Sequence, residues 1–444
     1  MTVTATSSLE RTRLGNGLRV VVAPDRSSPL VAVAVVYDVG FRSEPEGSTG
    51  FAHLFEHMMF QGSANVGKVE HVRILEGAGG VFNGHTQPDI TAYYQALPPG
   101  GLELALFLEA DRMRSLAVNQ ENLANQISVV KEEIKVNVLN QPYGGFPWIV
   151  LPELAFDLYP NSHNGYGDFA DLERSTVEAA MEFYGRYYAP SNAVLVVSGD
   201  CDGPETMELA ERHFGDIPAR SVPPHGPWPE LPLADERRRT INDPRAPQPA
   251  FAIGLRVPDP IADLDGFLAH MVVGSVLADG EASRLRSRLV HRDRLVTDVS
   301  CSIGVFGDDG LFMRDPVLFK TVVQHPGAAT TRAITKVIDE EVERLASDGP
   351  TTDELERVAT SYAAAYWRGV DSVLNRSVAL ACLEVIQGRA ELAAELPERL
   401  AEVAAGRVAE AAGALANQRK AVVEIKPGAT RATGATRTAG RACR

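Results

Sequence analysis

Two histidines and a glutamate, His53, Glu56 and His57, are the side chains of this sequence best spaced for chemistry. Read as a helix over residues 50–60, the histidines stand four positions apart, about 40° from each other around the axis, so both imidazoles can face one ion. Glu56, three positions after His53, falls on the flank of that face. It can reach a water beside such an ion without being a ligand. A catalytic metal needs a third protein ligand. Without one, the same residues read as two structural histidines and a surface glutamate.

Several elements must position this helix. Residues 11–23 alternate and turn at Asn16-Gly17, a hairpin entry, and residues 30–39 form a β-branched run suited to a central strand. A loop with Pro45, Gly47 and Gly50 delivers the helix. A short helix over 71–76 ends at Gly77 and the Gly79-Gly80 pair. Strands over 81–86 and 90–97 follow, joined by Gln87-Pro88-Asp89, and then helices over 101–116 and 121–139.

The last of these helices offers the third ligand. Its apolar stripe is Leu123, Ile127, Val130 and Ile134, and a wheel of about 100° per residue sets Glu133 at the stripe's edge beside Gln126 and Val130, with Glu132 turned away. A carboxylate on the rim of a buried face is costly unless paired or metal-bound, which favours Glu133 over Glu132.

His53-Leu-Phe-Glu56-His57, with Glu133 76 residues after His57, resembles the inverted zinc-ligand motif of the pitrilysin and insulin-degrading-enzyme superfamily of metallopeptidases. Chain length is similar to the branch that holds the mitochondrial processing peptidase. The stretch from Gly79 through Asn83, Gly84, Thr86 and Thr91 to Tyr94 resembles that family's glycine pair and its two strands. Phe183 through Pro190 and Asn192 to Asp200 resembles the closing helix, turn and strand of its first domain. The resemblance implies an α+β fold of two homologous domains, each a mostly antiparallel sheet covered by helices. It implies one zinc per chain on His53, His57 and Glu133, with Glu56 as base, and a substrate strand including Phe82, Asn83, Gly84 and Thr86.

An internal repeat supports two domains. Eleven of the 28 prolines lie between Pro218 and Pro260, marking an extended linker over 218–240 between a domain at 1–217 and another at 241–425. Residues 250–257 echo 33–37, and 266–273 can be laid on 50–57. That register places Ala269, Val272 and Val273 where the first half has its chemical groups, so the second half cannot hold this metal site and His270 is structural or superficial. In related chains the second domain carries an arginine and, seven residues on, a tyrosine that clamp substrate. Here Val290 and Thr297 stand at those places. Arg288, His291 or Arg292 could substitute after a register shift, but a separate homologous subunit supplying the pair is the simpler reading, so a heterodimer is expected over a homodimer. Gln126 stands where many relatives have an acid that orients the glutamate ligand.

Composition narrows the rest. The 444 residues exceed one ordinary core, and 45% hydrophobic and 23% charged are globular values. A net charge of −15 argues against nucleic-acid binding. No stretch reaches membrane-spanning length, and the first residues show no charged segment followed by an apolar run. Cys201, Cys301, Cys382 and Cys443 form no close pair, as in a reduced cytoplasmic protein. His71, His85 and His163 suit loop or hydrogen-bonded roles, Met58-Met59 suits the core, and the alanine-rich helices over 352–415 are expected to cover the second sheet. The basic stretch 426–444 reads as disordered. Three classes of function stay open: a zinc endopeptidase acting on peptides or small unfolded proteins, a non-catalytic peptide-binding or scaffold subunit, and, more remotely, a hydrolase of non-peptide amides.

Overall fold

The computed structural model describes residues 9–226, 228–307 and 310–428. Two sheets form its frame. The first contains β1 (Glu10–Arg13), β2 (Arg19–Pro24), β3 (Val31–Tyr37), β4 (Val81–Thr86), β5 (Thr91–Leu97) and β6 (Ala193–Gly199), in the order β1-β2-β6-β3-β5-β4. The second contains β7 (Arg237–Asp243), β8 (Ala250–Val257), β9 (Asp298–Ile303), β10 (Val317–Gln324) and β11 (Ala421–Pro427), in the order β7-β11-β8-β10-β9. Apart from β1, the sheets match strand for strand. β2 runs parallel to β6 as β7 does to β11, and the remaining pairs are antiparallel. The repeat heard in the sequence is therefore a repeat of topology, within the expected α+β class.

Four helices of the first half surround the site: α1 (Phe51–Met58), α2 (Glu70–Gly77), α3 (Leu102–Ser115) and α4 (Gln120–Ile134). The run expected as one helix to residue 139 continues past Ile134 in a wider π-helical turn, Lys135–Leu139. Asn119 starts α4 by accepting the backbone N–H of Asn122 at 2.9 Å. β3 is wholly buried because both faces of the first sheet are covered. Val31, Val33, Val35 and Tyr37 pack with the helices of their own half, whereas Ala34 and Val36 join the core of the second half.

That second covering corrects the expectation for the late helices. The helix Val373–Gln387 lies on β3, β6 and β5 of the first sheet, while α5 (Val150–Ala155), from the first half, lies on β11 and β8. The sequence signal was the row Ala96, Ala32 and Ser198 across three neighbouring strands. These small residues let the helix approach closely enough for Val373 to pack on Ala32 and Ala96 and for Ser377 to bond Ser198.

Two boundaries also shift. β7 begins at Arg237, inside the stretch expected as linker, because an edge strand accommodates charged residues such as Arg237-Arg-Arg. β11 includes Lys426 and Pro427, two residues of the expected tail, whereas 429–444 and Cys443 lie outside the described residues. Residues 218–236 hold no helix or strand among those described, yet they are docked. Glu230 accepts the backbone N–H of Leu158 at 2.8 Å and the Asn161 amide at 3.0 Å, and the Trp228 carbonyl accepts the same amide.

A buried polar latch joins the halves. Arg42, with no exposed side-chain surface, lies 3.2 Å from Asp89 and donates to the carbonyls of Arg314 (2.8 Å) and Pro316 (2.6 Å). Asp89 also accepts the Arg314 backbone N–H at 2.8 Å, and the Arg314 guanidinium grips Asp38 at 2.8 and 3.1 Å. Removing one partner of a buried ion pair strands the other, so Asp89→Ala should lower unfolding free energy by about 3–5 kcal/mol, read from urea denaturation.

His71 supplies a pH prediction. Burial, with Arg112 nearby, depresses its pKa to about 3. Below pH 6.5 the unfolded chain takes up a proton that the folded chain refuses until about pH 3. Its contribution is therefore complete above pH 6.5 and is lost as pH falls from there toward 3. Between pH 7 and 5 the loss at this residue should be about 2 kcal/mol. The variant His71→Leu should show a correspondingly flatter change in urea midpoint over that interval.

Candidate metal centre

α1 is delivered by a tight crossing of two backbones. Gly50 (φ 85°) precedes it, and a Cβ there would stand 2.7 Å from the Cα of Gly167, itself at φ 93°, so neither position has room for a side chain. Glu44 anchors the first turn. Its buried carboxylate accepts the N–H groups of Gly50 and Ala52, both at 2.8 Å, and meets His163 Nε2 at 3.0 Å. Burial raises the Glu44 pKa; for His163 burial pulls downward most, and Glu44 together with the backbone of Tyr159 and Phe41 brings the net shift upward. His163, expected as a hydrogen-bonded histidine, is in this way part of the support of the site. Further along α1, the hydroxyl of Tyr93 donates to the Phe55 carbonyl at 3.3 Å. Met58 and Met59 are buried, as expected.

The structure brings together the three residues expected as ligands. The Nε2 atoms of His53 and His57 lie 3.5 and 3.2 Å from the same Glu133 oxygen, Oε2. One donor atom from each residue can be chosen so that all three fall within 4.8 Å of one another, the one such cluster among the described residues. A tetrahedral zinc with bonds of about 2.0–2.1 Å sets its ligands about 3.3 Å apart, so these contacts match one shared ion. Electrostatics agree. His53 and His57 hold the Glu133 carboxyl well below the usual carboxylate range. At His53 burial is the largest influence and opposes a positive charge, but Glu133, Glu56 and the Tyr166 backbone together raise the pKa. The three groups together favour a cation.

Glu56 sits beside the cluster with its Oε2 accepting the Thr86 hydroxyl at 2.8 Å. Thr86 ends β4, the outermost strand of its sheet, which pairs with β5 alone among the described strands. Along β4, Phe82 packs on Phe60 with ring centroids 5.3 Å apart, Asn83 is exposed with its side-chain oxygen accepting the Gly84 N–H, and Gly84 leaves space for Glu56. Of the four residues expected on the substrate strand, Thr86 is thus the one engaged with the base. His85 is half-buried, 5.5 Å from the ring of Tyr94, and burial lowers its pKa to about 4.

Other supports had no signal in the sequence. Asn137, in the π-helical turn, donates its amide to Glu133 Oε1 at 3.3 Å, whereas Gln126 is buried on the stripe of α4 and no described bond joins it to Glu133. Tyr166 lies 5.0 Å from the His53 ring, backed by Trp148 at 5.1 Å and by Phe306 of the second half at 5.7 Å. Among the described residues the second half offers no matching site. Ala269, Val272 and Val273 are buried on the helix Leu264–Ala278, and buried His270 places Nδ1 2.7 Å from the Gly266 carbonyl. Arg288 is engaged by Glu340 and Glu341, His291 by Glu281, and Arg292 by Asp293.

Comparison with known proteins places this geometry. Residues 19–144 match the family described as Insulinase (Peptidase family M16), and residues 174–362 match the Peptidase M16 inactive domain. The zinc protease PqqE of Helicobacter pylori is 29% identical over 314 residues, 68% of each chain. An uncharacterized zinc protease of Mycobacterium leprae is 25% identical over 426 residues, covering 95% of this chain and 93% of that one. Among solved structures, a protease from Helicobacter pylori superposes with a TM-score of 0.86 at 24% identity, over 95% of this chain and 100% of that one. Pitrilysin superposes at 0.80 with 18% identity and the periplasmic protease PqqL of Escherichia coli at 0.77 with 18%; each covers 96% of this chain but only 45% and 48% of the larger proteins. The chain belongs to the pitrilysin-like M16 peptidase superfamily.

Proposed function

We propose that this chain is the metal-bearing subunit of a zinc-dependent endopeptidase acting on peptides or small unfolded proteins. The reading rests on both Nε2 atoms meeting one Glu133 oxygen, which gives the two-histidine, one-glutamate donor set of catalytic zinc. His53, His57 and Glu133 would hold the zinc, which would supply a Lewis acid and a bound water with its pKa lowered toward about 7. Glu56 accepts that water's proton on a carboxylate oxygen and passes it to the leaving amine. The outer edge of β4 receives the substrate as an added strand, with Asn83 and the backbone of Gly84 toward its main chain and Phe82 among its side chains.

The rest of the substrate clamp comes from a second, homologous subunit. Val290 and Thr297 lack the chemistry of the arginine and tyrosine, and the neighbouring cations are held by acids of their own half. A second copy of this chain would bring the same two residues, which favours a heterodimer. Pitrilysin and PqqL, each about twice the length of this chain, are in keeping with a working unit of two such halves.

Two measurements test the reading. Purified parent and Glu56→Gln should each carry about one zinc, while hydrolysis of unfolded casein, assayed with the clamp-bearing subunit present, falls at least about 10²-fold in the variant. A parent without zinc, or a variant as fast as the parent, overturns it. Mixing the chain with a homologous subunit that bears the arginine and tyrosine should yield a one-to-one complex by light scattering and raise turnover; a fully active single chain overturns the partner.

A further inference from the structure

The strand expected to bind substrate is also the strand that holds the base. Thr86 Oγ1 donates to Glu56 Oε2 at 2.8 Å and lies 3.5 Å from the Ala52 carbonyl, over the inner face of α1. Oε1 of Glu56 has no hydrogen-bond partner among the described residues. Two positions earlier on the same side of the strand, Gly84 is where a Cβ would stand 3.2 Å from Glu56 Cγ. A hydroxyl at 86 and a vacancy at 84 therefore define the position of one carboxylate.

Thr86 is itself firmly placed. Threonine's branched Cβ restricts its rotamer. The turn that follows is bonded on both sides: the Gln87 and Pro88 carbonyls accept the N–H groups of Phe41 and Arg42, at 3.2 and 3.0 Å, and Asp89 is the acid of the buried latch. The hydroxyl thus hangs from an end of β4 that is tied to the buried latch.

We propose that Thr86 is the positioning residue of the base: it fixes Glu56 through one carboxylate oxygen and leaves the other for the attacking water. This rests on the peptidase reading given above. Because the same strand would pair with the substrate, a bound peptide and the base share one rigid element.

The test compares Thr86→Val, which keeps the shape and removes the hydroxyl, with Thr86→Ser, which restores it. A displacement of about 1 Å in a reacting group can cost about 10²-fold, so Thr86→Val should lower kcat on a fluorescence-quenched peptide by about tenfold to a hundredfold, with KM within about twofold. Zinc affinity, measured by chelator competition, should match the parent, and Thr86→Ser should recover most of the rate. If the single chain is too slow to time, the visible spectrum of the cobalt-substituted protein decides. Thr86→Val should shift it in the direction of Glu56→Gln, and Thr86→Ser should not. The inference is overturned by unchanged kcat or spectrum in Thr86→Val, by loss of zinc in that variant, or by failure of serine to restore the parent behaviour. A parent that binds no zinc, or that does not depend on Glu56, overturns the peptidase reading as well; a Glu56-dependent zinc protein indifferent to residue 86 overturns this inference alone.

Discussion

An eight-residue helix cannot support a metal centre by its own stability, because isolated helices of that length are marginal in water. Everything around α1 compensates for this. A buried carboxylate, Glu44, takes two of its unpaired N–H groups, and His163 offsets the burial of that charge. The crossing of Gly50 and Gly167 fixes where the helix begins, and the same crossing carries Tyr166 to the face of His53. Once α1 is fixed, its two imidazoles point to one place, and α4 has only to present a single carboxylate there.

The second half holds no metal-ligand cluster among its described residues, but it shapes the first. Its helix Val373–Gln387 closes the back of the first sheet, and its Arg314–Pro316 segment fastens the turn at the end of β4. Phe306 reaches as far as Tyr166. The two halves therefore behave as one packed body around the site, and the orientation of the proposed substrate strand depends on contacts more than 200 residues distant in sequence.

Much of this was legible from local patterns. Helical spacing brought His53 and His57 together, and the rim position of Glu133 on an amphipathic helix distinguished it from Glu132, which is exposed. The Val and Ala alternation of β3 and the small residues Ala96 and Ser198 were visible too, but which helix would lie on them is a matter of tertiary pairing, and no local period reports it. Glu44, Asn137 and Tyr166 act through contacts across loops or beyond a helix end, where periodicity carries no information. Thr86 was placed on the right strand. Its partner, a side chain 30 residues earlier, follows only from how that strand lies on α1. The arginine run at β7 looked like linker because an edge strand resembles one in composition.

The two halves share a sheet topology but differ in the helix that follows their central strand. The helix Leu264–Ala278 occupies in the second half the place of α1, and its positions 269, 272 and 273 are at most 1% exposed, filled by alanine and valine. Placing imidazole and carboxylate groups there would bury each without a partner until all were present together, at a cost of several kcal/mol apiece. Each single substitution meets that cost before any metal can offset it. The helix that matches α1 is therefore committed to the core, and the polar face that chemistry needs stays in the first half.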